Sequence, residues 1–201
     1  MKRGELVHDG NGWETISTTE NFANAHVKVV TDLVRTPLHS KPCTWTIAHR
    51  KAAVVVAPMT RDCRIVLIRQ ERIPIRATIW EMPSGQIDNS GADEKEIRAV
   101  GLSELREEAG YELTPDGELT ALGYFFSSPG FTDEYCYFFL AHPVEPCRNY
   151  KRAEAEAILD CRPFAIKELR RMIAQNEIRD ANTLAICARL AAKGFLSLAS
   201  R

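Results

Sequence analysis

The stretch SELREEAG, residues 103–110, sets three carboxylates, Glu104, Glu107 and Glu108, close together. In a helix each residue advances by ~100°, so the three fall within an arc of ~100°, while Leu102, Leu105 and Ala109 form a separate apolar stripe. Like charges at that spacing repel, so either solvent screens them or a cation sits among them. Hard divalent cations favour carboxylate and carbonyl oxygens and keep water and substrate phosphate as further ligands. Glu104, Glu107 and Glu108 are therefore candidate metal ligands, and the Pro83-Ser84-Gly85 loop is a candidate source of a main-chain carbonyl; a solvated helix face is the competing reading.

Glu154 and Glu156 form a second acidic pair in a polar segment, where a carboxylate either takes a proton from water or is plain surface charge. Trp13 lies in a Gly-Asn-rich turn and Trp45 between short strands. Rings on such elements stack on a base, or serve as core or subunit contacts. Arg72, at the end of RIVLIRQER, offers a planar fork to a phosphate, with a solvated surface arginine as the alternative.

These residues need a scaffold, and composition bounds it. A chain of 201 residues with 45% hydrophobic content is enough for one large domain, or one domain with an extension. The formal charge of -1, from 26 basic and 27 acidic residues, supplies no long-range attraction for nucleic acid or anionic lipid. A small ligand is the expectation. No apolar stretch approaches the ~20 residues that cross a bilayer, and MKRGELVHDG lacks the apolar segment of a secretory signal, so the expected location is cytoplasmic. The six cysteines lack CxxC or zinc spacing and read as reduced, mostly core thiols.

Residues 5–50 are strand-like and turn-rich, with HVKVVTDLV and TWTIAH as strands in a small antiparallel subdomain whose edges need a partner. KAAVVVAPM and CRIVLIRQ carry β-branched runs suited to burial on both faces. GQIDNSG reads as a loop, a helix runs from near Ala92 to Ala109 with Gly110 as its stop, and GELTALGYFF and EYCYFFLAHPV are two further strands. After the short run AILDC, the spacing predicts helices over PFAIKELRRMIAQ and DANTLAICARLAA. The fold class is α+β, a mixed sheet between helices with a small N-terminal antiparallel subdomain, divided as 1–50 and 51–201.

Residues 80–113 resemble the Nudix box of the Nudix hydrolase superfamily, in which a glycine and a glutamate precede Arg-Glu-aliphatic-any-Glu-Glu-any-Gly-aliphatic. SELREEAGY fits except for Ser103 at the arginine position and Tyr111 at the last aliphatic one. WEMPSGQID, SSPGFTDE and IAQNEIRDANTL further resemble the ADP-ribose and ADP-sugar pyrophosphatase subfamily, so the likeness spans most of the chain. The box is degenerate: Gly85 to Ser103 is four residues longer than standard, and strict counting puts Lys95 where the first glutamate belongs. Glu94, Glu96 and Arg98 are the candidates for repairing the missing Arg/Glu brace.

The resemblance implies Mg²⁺, with Mn²⁺ as the alternative, held by Glu104, Glu107, Glu108 and the Ser84 carbonyl. It gives the attacking water to Glu156 first and Glu154 second, and phosphate contact or site order to Arg72 and Glu81. It further implies an adenine sandwich between Trp13 and Trp45, a loop with Ser128, Gly130, Phe131 and Asp133 bordering the terminal ribose, and a homodimer. The expected reaction is cleavage of the pyrophosphate of ADP-ribose or a related nucleoside diphosphate sugar into AMP and ribose 5-phosphate. GDP-mannose, NADH and dinucleoside polyphosphates are the alternative substrates, and a catalytically weak nucleotide-binding or regulatory protein is the opposing reading.

Overall fold

The computed structural model describes residues 6–151 and 157–197. Three antiparallel strands, β1 (Glu14–Ala23), β2 (Val27–Arg35) and β3 (Cys43–Arg50), make an N-terminal sheet in the order β1-β2-β3. It is thinly packed: β1 is exposed along its whole length, and of β2 and β3 only Val30, Asp32 and Ala48 are buried.

The second sheet has seven strands, β4 (Ala53–Thr60), β5 (Arg64–Arg72), β6 (Ala77–Glu81), β7 (Ser84–Gln86), β8 (Tyr111–Phe126), β9 (Tyr135–Pro146) and β10 (Ile158–Ala165). Their order is β10-β5-β4-β9-β8, with β6 on β5 and β7 on β4. The β4–β9 pair is parallel and the other pairs are antiparallel, so the sheet is mixed, as the sequence implies. Helix α1 (Glu94–Glu104) and helices α2 (Ile166–Ala174) and α3 (Ala181–Ala192) pack against two separate apolar clusters.

The β-branched run of β4 creates both clusters, because alternate side chains point to opposite faces. Val54 and Val56 join Ile97 and Leu105 beneath α1. Val55, Ala57 and Met59 join Phe164, Leu169, Ile186 and Leu190 beneath α2 and α3. Full burial of such a side chain is worth about 1.5–3 kcal/mol, so this one strand anchors the helices of both layers. Gly101 sets how closely α1 approaches: a Cβ there would stand 3.0 Å from Val54 Cγ1.

The acidic helix starts where Asp93 accepts from the Glu96 amide and Glu96 accepts from the Asp93 amide, each at 2.9 Å. This reciprocal cap satisfies two helix-end donors. After Glu104 the winding widens to a π-helical turn, Leu105–Ala109, which ends at Gly110 in the left-handed conformation with φ +70°. The helix and its glycine stop match expectation, and the π-turn is new.

Three local readings change. Gly85 and Gln86 of the expected loop belong to β7, paired with Val54 and Ala53 of β4. Pro163–Ala165, expected as the start of a helix, extends β10, where Pro163 is tolerated because the strand is an edge and Phe164 enters the core. Strands β1 and β6 carry mostly polar or interrupted patterns and were not separately legible. Cys136, Cys147 and Cys187 are buried, Cys43 and Cys161 partly so, Cys63 is exposed, and all six are free thiols. Among the described residues no helix is long and apolar enough to cross a membrane.

Candidate active site

Pairing of β7 with β4 lays Ser84 and Gly85 beside the end of the acidic helix. The Glu104 carboxylate lies so close that a Cβ on Gly85 would sit 1.8 Å from Glu104 Oε1, so glycine is what makes room for it. Glu108, only 4% exposed, accepts a hydrogen bond from the Ser84 amide at 2.7 Å through Oε2. Two glutamates, one helical turn apart, thus converge on the start of strand β7. The third is oriented otherwise: Glu107 is exposed, and its Oε1 accepts from the Ser103 hydroxyl at 2.6 Å.

The candidates for repairing the missing brace are occupied elsewhere. Glu96 caps the helix, and Glu94 pairs with Arg98 at 2.9 Å. Arg98 also donates to the Leu119 carbonyl and lies over the Phe139 ring. Lys95 is exposed in the first turn, and eight residues of helix put it ~12 Å from Ser103.

Beside this turn, Arg72 Nε donates to both carboxylate oxygens of Glu81 at 2.9 and 3.0 Å, and Nη2 makes a further short bond to Oε2. Glu81 is 2% exposed. Burial raises its carboxyl above the ordinary range while the Arg72 guanidinium pulls it back down. The same pairing raises Arg72, helped by the negative charges of Glu108 and Asp180. Glu81 therefore orders the arginine fork from inside the protein.

Asp180 is a residue that sequence reading missed. It caps α3 by accepting from the Thr183 amide and hydroxyl, each at 2.7 Å, and Thr183 Oγ1 accepts from the Met82 amide at 2.9 Å. The start of α3 is thereby tied to the residue that precedes Pro83 and Ser84. The Asp-x-x-Thr spacing of a helix cap was the available signal.

The Ser127–Glu134 loop is fastened to the N-terminal sheet. Trp45, 55% exposed, donates through Nε1 to the Gly130 carbonyl at 3.1 Å, and the Ala48 amide donates to the Phe131 carbonyl at 3.0 Å. Ser128 holds the tip through its carbonyl, which accepts from the Phe131 and Thr132 amides, and the Phe131 ring is 57% exposed. Asp133 instead meets His49 Nδ1 at 2.8 Å and the Arg50 amide at 3.3 Å, a supporting position within the fold. Arg50 also pairs with Glu134 at 2.9 Å.

Trp13 and Trp45 do not face each other within one chain. Trp45 stands opposite Asp32, which stands opposite Thr18 of β1. Trp13 lies five residues back along the chain, roughly 16 Å at strand rise and two strands across. Glu154 and Glu156 lie outside the described residues.

A cavity of about 450 Å³ opens between the N-terminal sheet and the start of α1, lined by Lys28, His49, Arg50, Lys51, Ile87 and Tyr137 among others. It sits by Ala92 and Ile97, about one helix length, ~15 Å, from the glutamate end. Its cationic side chains are already paired, Lys51 with Asp88 and Lys28 with Glu20. The carboxylates of the acidic turn lie outside this cavity.

Among the described residues, no three His, Cys, Asp or Glu side chains are drawn together as a finished coordination shell. The donor set nevertheless fits a hard divalent ion: it is all oxygen, and Gly85 admits the Glu104 carboxylate where a Cβ would exclude it. Glu104 and Glu108 could hold one.

A family model for the NUDIX domain matches residues 48–185. The chain belongs to the NUDIX domain family. Over 170 residues it is 27% identical to the ADP-ribose pyrophosphatase of Bacillus subtilis (strain 168), covering 85% of this chain and 88% of that protein. Over 171 residues it is 28% identical to the methanol dehydrogenase activator of Bacillus methanolicus, again covering 85% and 88%. A solved structure described as an ADP compounds hydrolase superposes with a TM-score of 0.73 at 15% identity, covering 94% of this chain and all of the other, which shows the shared fold. This Nudix protein is thus a hydrolase of a family that acts on small nucleotide-derived substrates and generally uses a divalent metal.

Proposed function

We propose that the protein hydrolyses the pyrophosphate bond of ADP-ribose or a related nucleoside diphosphate sugar in the presence of Mg²⁺, giving AMP and ribose 5-phosphate. The observation that carries the proposal is the convergence of Glu104 and Glu108 on Ser84 and Gly85 of β7, with the Arg72–Glu81 pair alongside. An ADP-ribose pyrophosphatase among the relatives supports the substrate class.

A bound divalent ion would supply Lewis-acid neutralisation of phosphate charge and acidify a water. Glu104 and Glu108 would hold it, with the Ser84 carbonyl and Glu107 as further oxygen donors. Arg72, oriented by Glu81, presents a fork to the pyrophosphate and offsets the charge that grows during transfer. Glu156, with Glu154 as the alternative, takes the proton from the attacking water. Trp45 supplies a stacking face for the base beside the Gly130–Phe131 loop tip.

Because Trp13 lies far from Trp45 in one chain, a two-sided sandwich calls for Trp13 of a second copy. A homodimer through the exposed N-terminal sheet meets that need and covers its edges. In this reading residues 1–50 serve dimerisation and base binding, and 51–201 the chemistry.

A second reading, a catalytically weak nucleotide-binding or regulatory protein, rests on one specific feature: Ser103 stands at the arginine position and its hydroxyl engages Glu107. The relative named as a methanol dehydrogenase activator is in keeping with it. Assay of ADP-ribose, GDP-mannose, NADH and diadenosine polyphosphates with and without Mg²⁺ separates the two. Metal-dependent cleavage, fastest with ADP-ribose, supports the hydrolase; tight binding without turnover of any member supports the regulatory reading, and faster cleavage of another member moves the substrate.

A further inference from the structure

The turn that carries Glu107 and Glu108 has the wide π winding, and such turns are uncommon and need outside support. A helix end leaves its last carbonyls without partners inside the helix. Here each of three end carbonyls is taken by a group from later in the chain. The Glu107 carbonyl accepts from the Tyr150 hydroxyl at 2.6 Å, the Ala109 carbonyl accepts from the Cys161 thiol at 3.2 Å, and the Gly110 carbonyl accepts from the Cys147 amide at 2.8 Å.

Tyr150 makes the most extensive of these contacts. Its ring lies over Gly110, where a Cβ would meet Tyr150 Cδ1 at 2.5 Å and Cε1 at 2.6 Å. Gly110 also needs its left-handed φ of +70°. The residue that ends the π-turn is thus glycine for two reasons, its own conformation and the room it gives the ring. Glu107 is consequently held twice, by Ser103 on its carboxylate and by Tyr150 on its carbonyl. Glu108 follows directly in the same turn, with its carboxylate on the Ser84 amide.

We infer that Tyr150 is a positioning residue: its hydroxyl and ring hold the π-turn so that Glu108 stays on the Ser84 amide of β7, a brace supplied from outside the helix where Ser103 leaves none of the arginine type. It touches no substrate and acts through the backbone of Glu107. The inference rests on the proposed metal-assisted reaction for its catalytic consequence, but its structural part stands apart from that reaction.

Two variants test it. Tyr150→Phe keeps the ring on Gly110 and removes only the hydroxyl; Tyr150→Ala removes both. Amide hydrogen exchange of residues 105–111, compared with α3, reads the positioning without any turnover. Loss of one hydrogen bond corresponds to about 3- to 10-fold, so exchange in this stretch of the Phe variant is expected to speed up by that factor while α3 is unchanged. The Mg²⁺ concentration for half-maximal activity is expected to rise by a similar factor of about 3- to 10-fold, with nucleotide KM at saturating metal within about twofold. The Ala variant is expected to exceed the Phe variant in both readouts. Unchanged exchange at 105–111 in the Phe variant overturns the positioning role, as does faster exchange with an unaltered metal requirement in an active enzyme. If the wild type cleaves no nucleotide, the proposed reaction fails, and the exchange pattern alone decides the role of Tyr150.

Discussion

The acidic turn and the N-terminal sheet are built on opposite plans. The turn is fixed from several sides by buried groups: Leu105 and Ala109 in the core, Glu108 on Ser84, and Thr183 on Met82 beside it. The sheet meets the rest of the chain through polar bonds from β3, among them Trp45–Gly130, His49–Asp133 and Arg50–Glu134, and leaves β1 exposed. Groups that must hold charge in a set geometry lie where packing over-determines the backbone. Groups expected to meet the flat, apolar part of a ligand lie on a surface that a ligand or a second copy can complete.

The sharpest break of this contrast is Glu108→Gln, which removes a charged oxygen donor at nearly constant volume. Activity is expected to fall on the order of 100-fold, measured as kcat with saturating Mg²⁺. Near-normal kcat in a folded variant contradicts the role given to the turn.

Gly85→Ala comes next. The new methyl overlaps the end of a flexible glutamate side chain rather than backbone, so Glu104 swings aside and the fold persists. A loss of about 10-fold or more in kcat/KM with Tm within a few degrees is expected. A large drop in Tm with proportionate activity loss would show that Gly85 serves packing alone.

Trp45→Ala addresses the sheet. Removal of a stacking ring is expected to raise nucleotide KM by about 5- to 150-fold, with kcat little altered, because one base stack contributes about 1–3 kcal/mol. Equal losses in kcat and kcat/KM would place Trp45 nearer the chemistry than the sheet reading allows. Sedimentation at micromolar protein tests the completion of this face by a second copy; a monomer alone removes the two-chain sandwich.

The smallest effect is in the core beneath α2 and α3, on the face of β4 opposite the turn. Burial pushes the Cys136 and Cys187 thiols up to about 12. In the unfolded chain these thiols ionise near the ordinary value of 9.0, so between about 9 and 12 the folded state holds protons that the unfolded state has lost. Their contribution is present in full below about pH 9 and is lost as pH rises through that window. Tm is expected to decline there, and at pH 8 a thiol reagent is expected to label exposed Cys63 rapidly and Cys136 and Cys187 only on unfolding. Rapid labelling of either buried thiol in folded protein contradicts the packing described.

The same contrast explains what could be read from the sequence. The β4 and β5 runs, the acidic helix and its Gly110 stop follow from local pattern, because burial, period and left-handed geometry each constrain residue type. The direction of Glu107 did not follow, since it depends on Ser103 and on Tyr150, whose hydroxyl reaches the Glu107 carbonyl across 43 residues. Asp133 reads as a loop carboxylate open to a ligand, yet His49 and the Arg50 amide, far away in sequence, take it. β1 carries no apolar alternation to announce itself, because neither of its faces is buried. Tertiary partners, absent from any local window, decided each of these outcomes.

The central claim is that the turn carrying Glu104 and Glu108 performs pyrophosphate hydrolysis. Its most direct test is chromatographic identification of the products formed from ADP-ribose by wild type and Glu108→Gln, each with and without Mg²⁺. AMP and ribose 5-phosphate in equal amounts, formed by wild type only when metal is present and nearly absent with the variant, are the predicted result. Release of ADP, which places the cut at the sugar bond, or equal product from the variant, contradicts it.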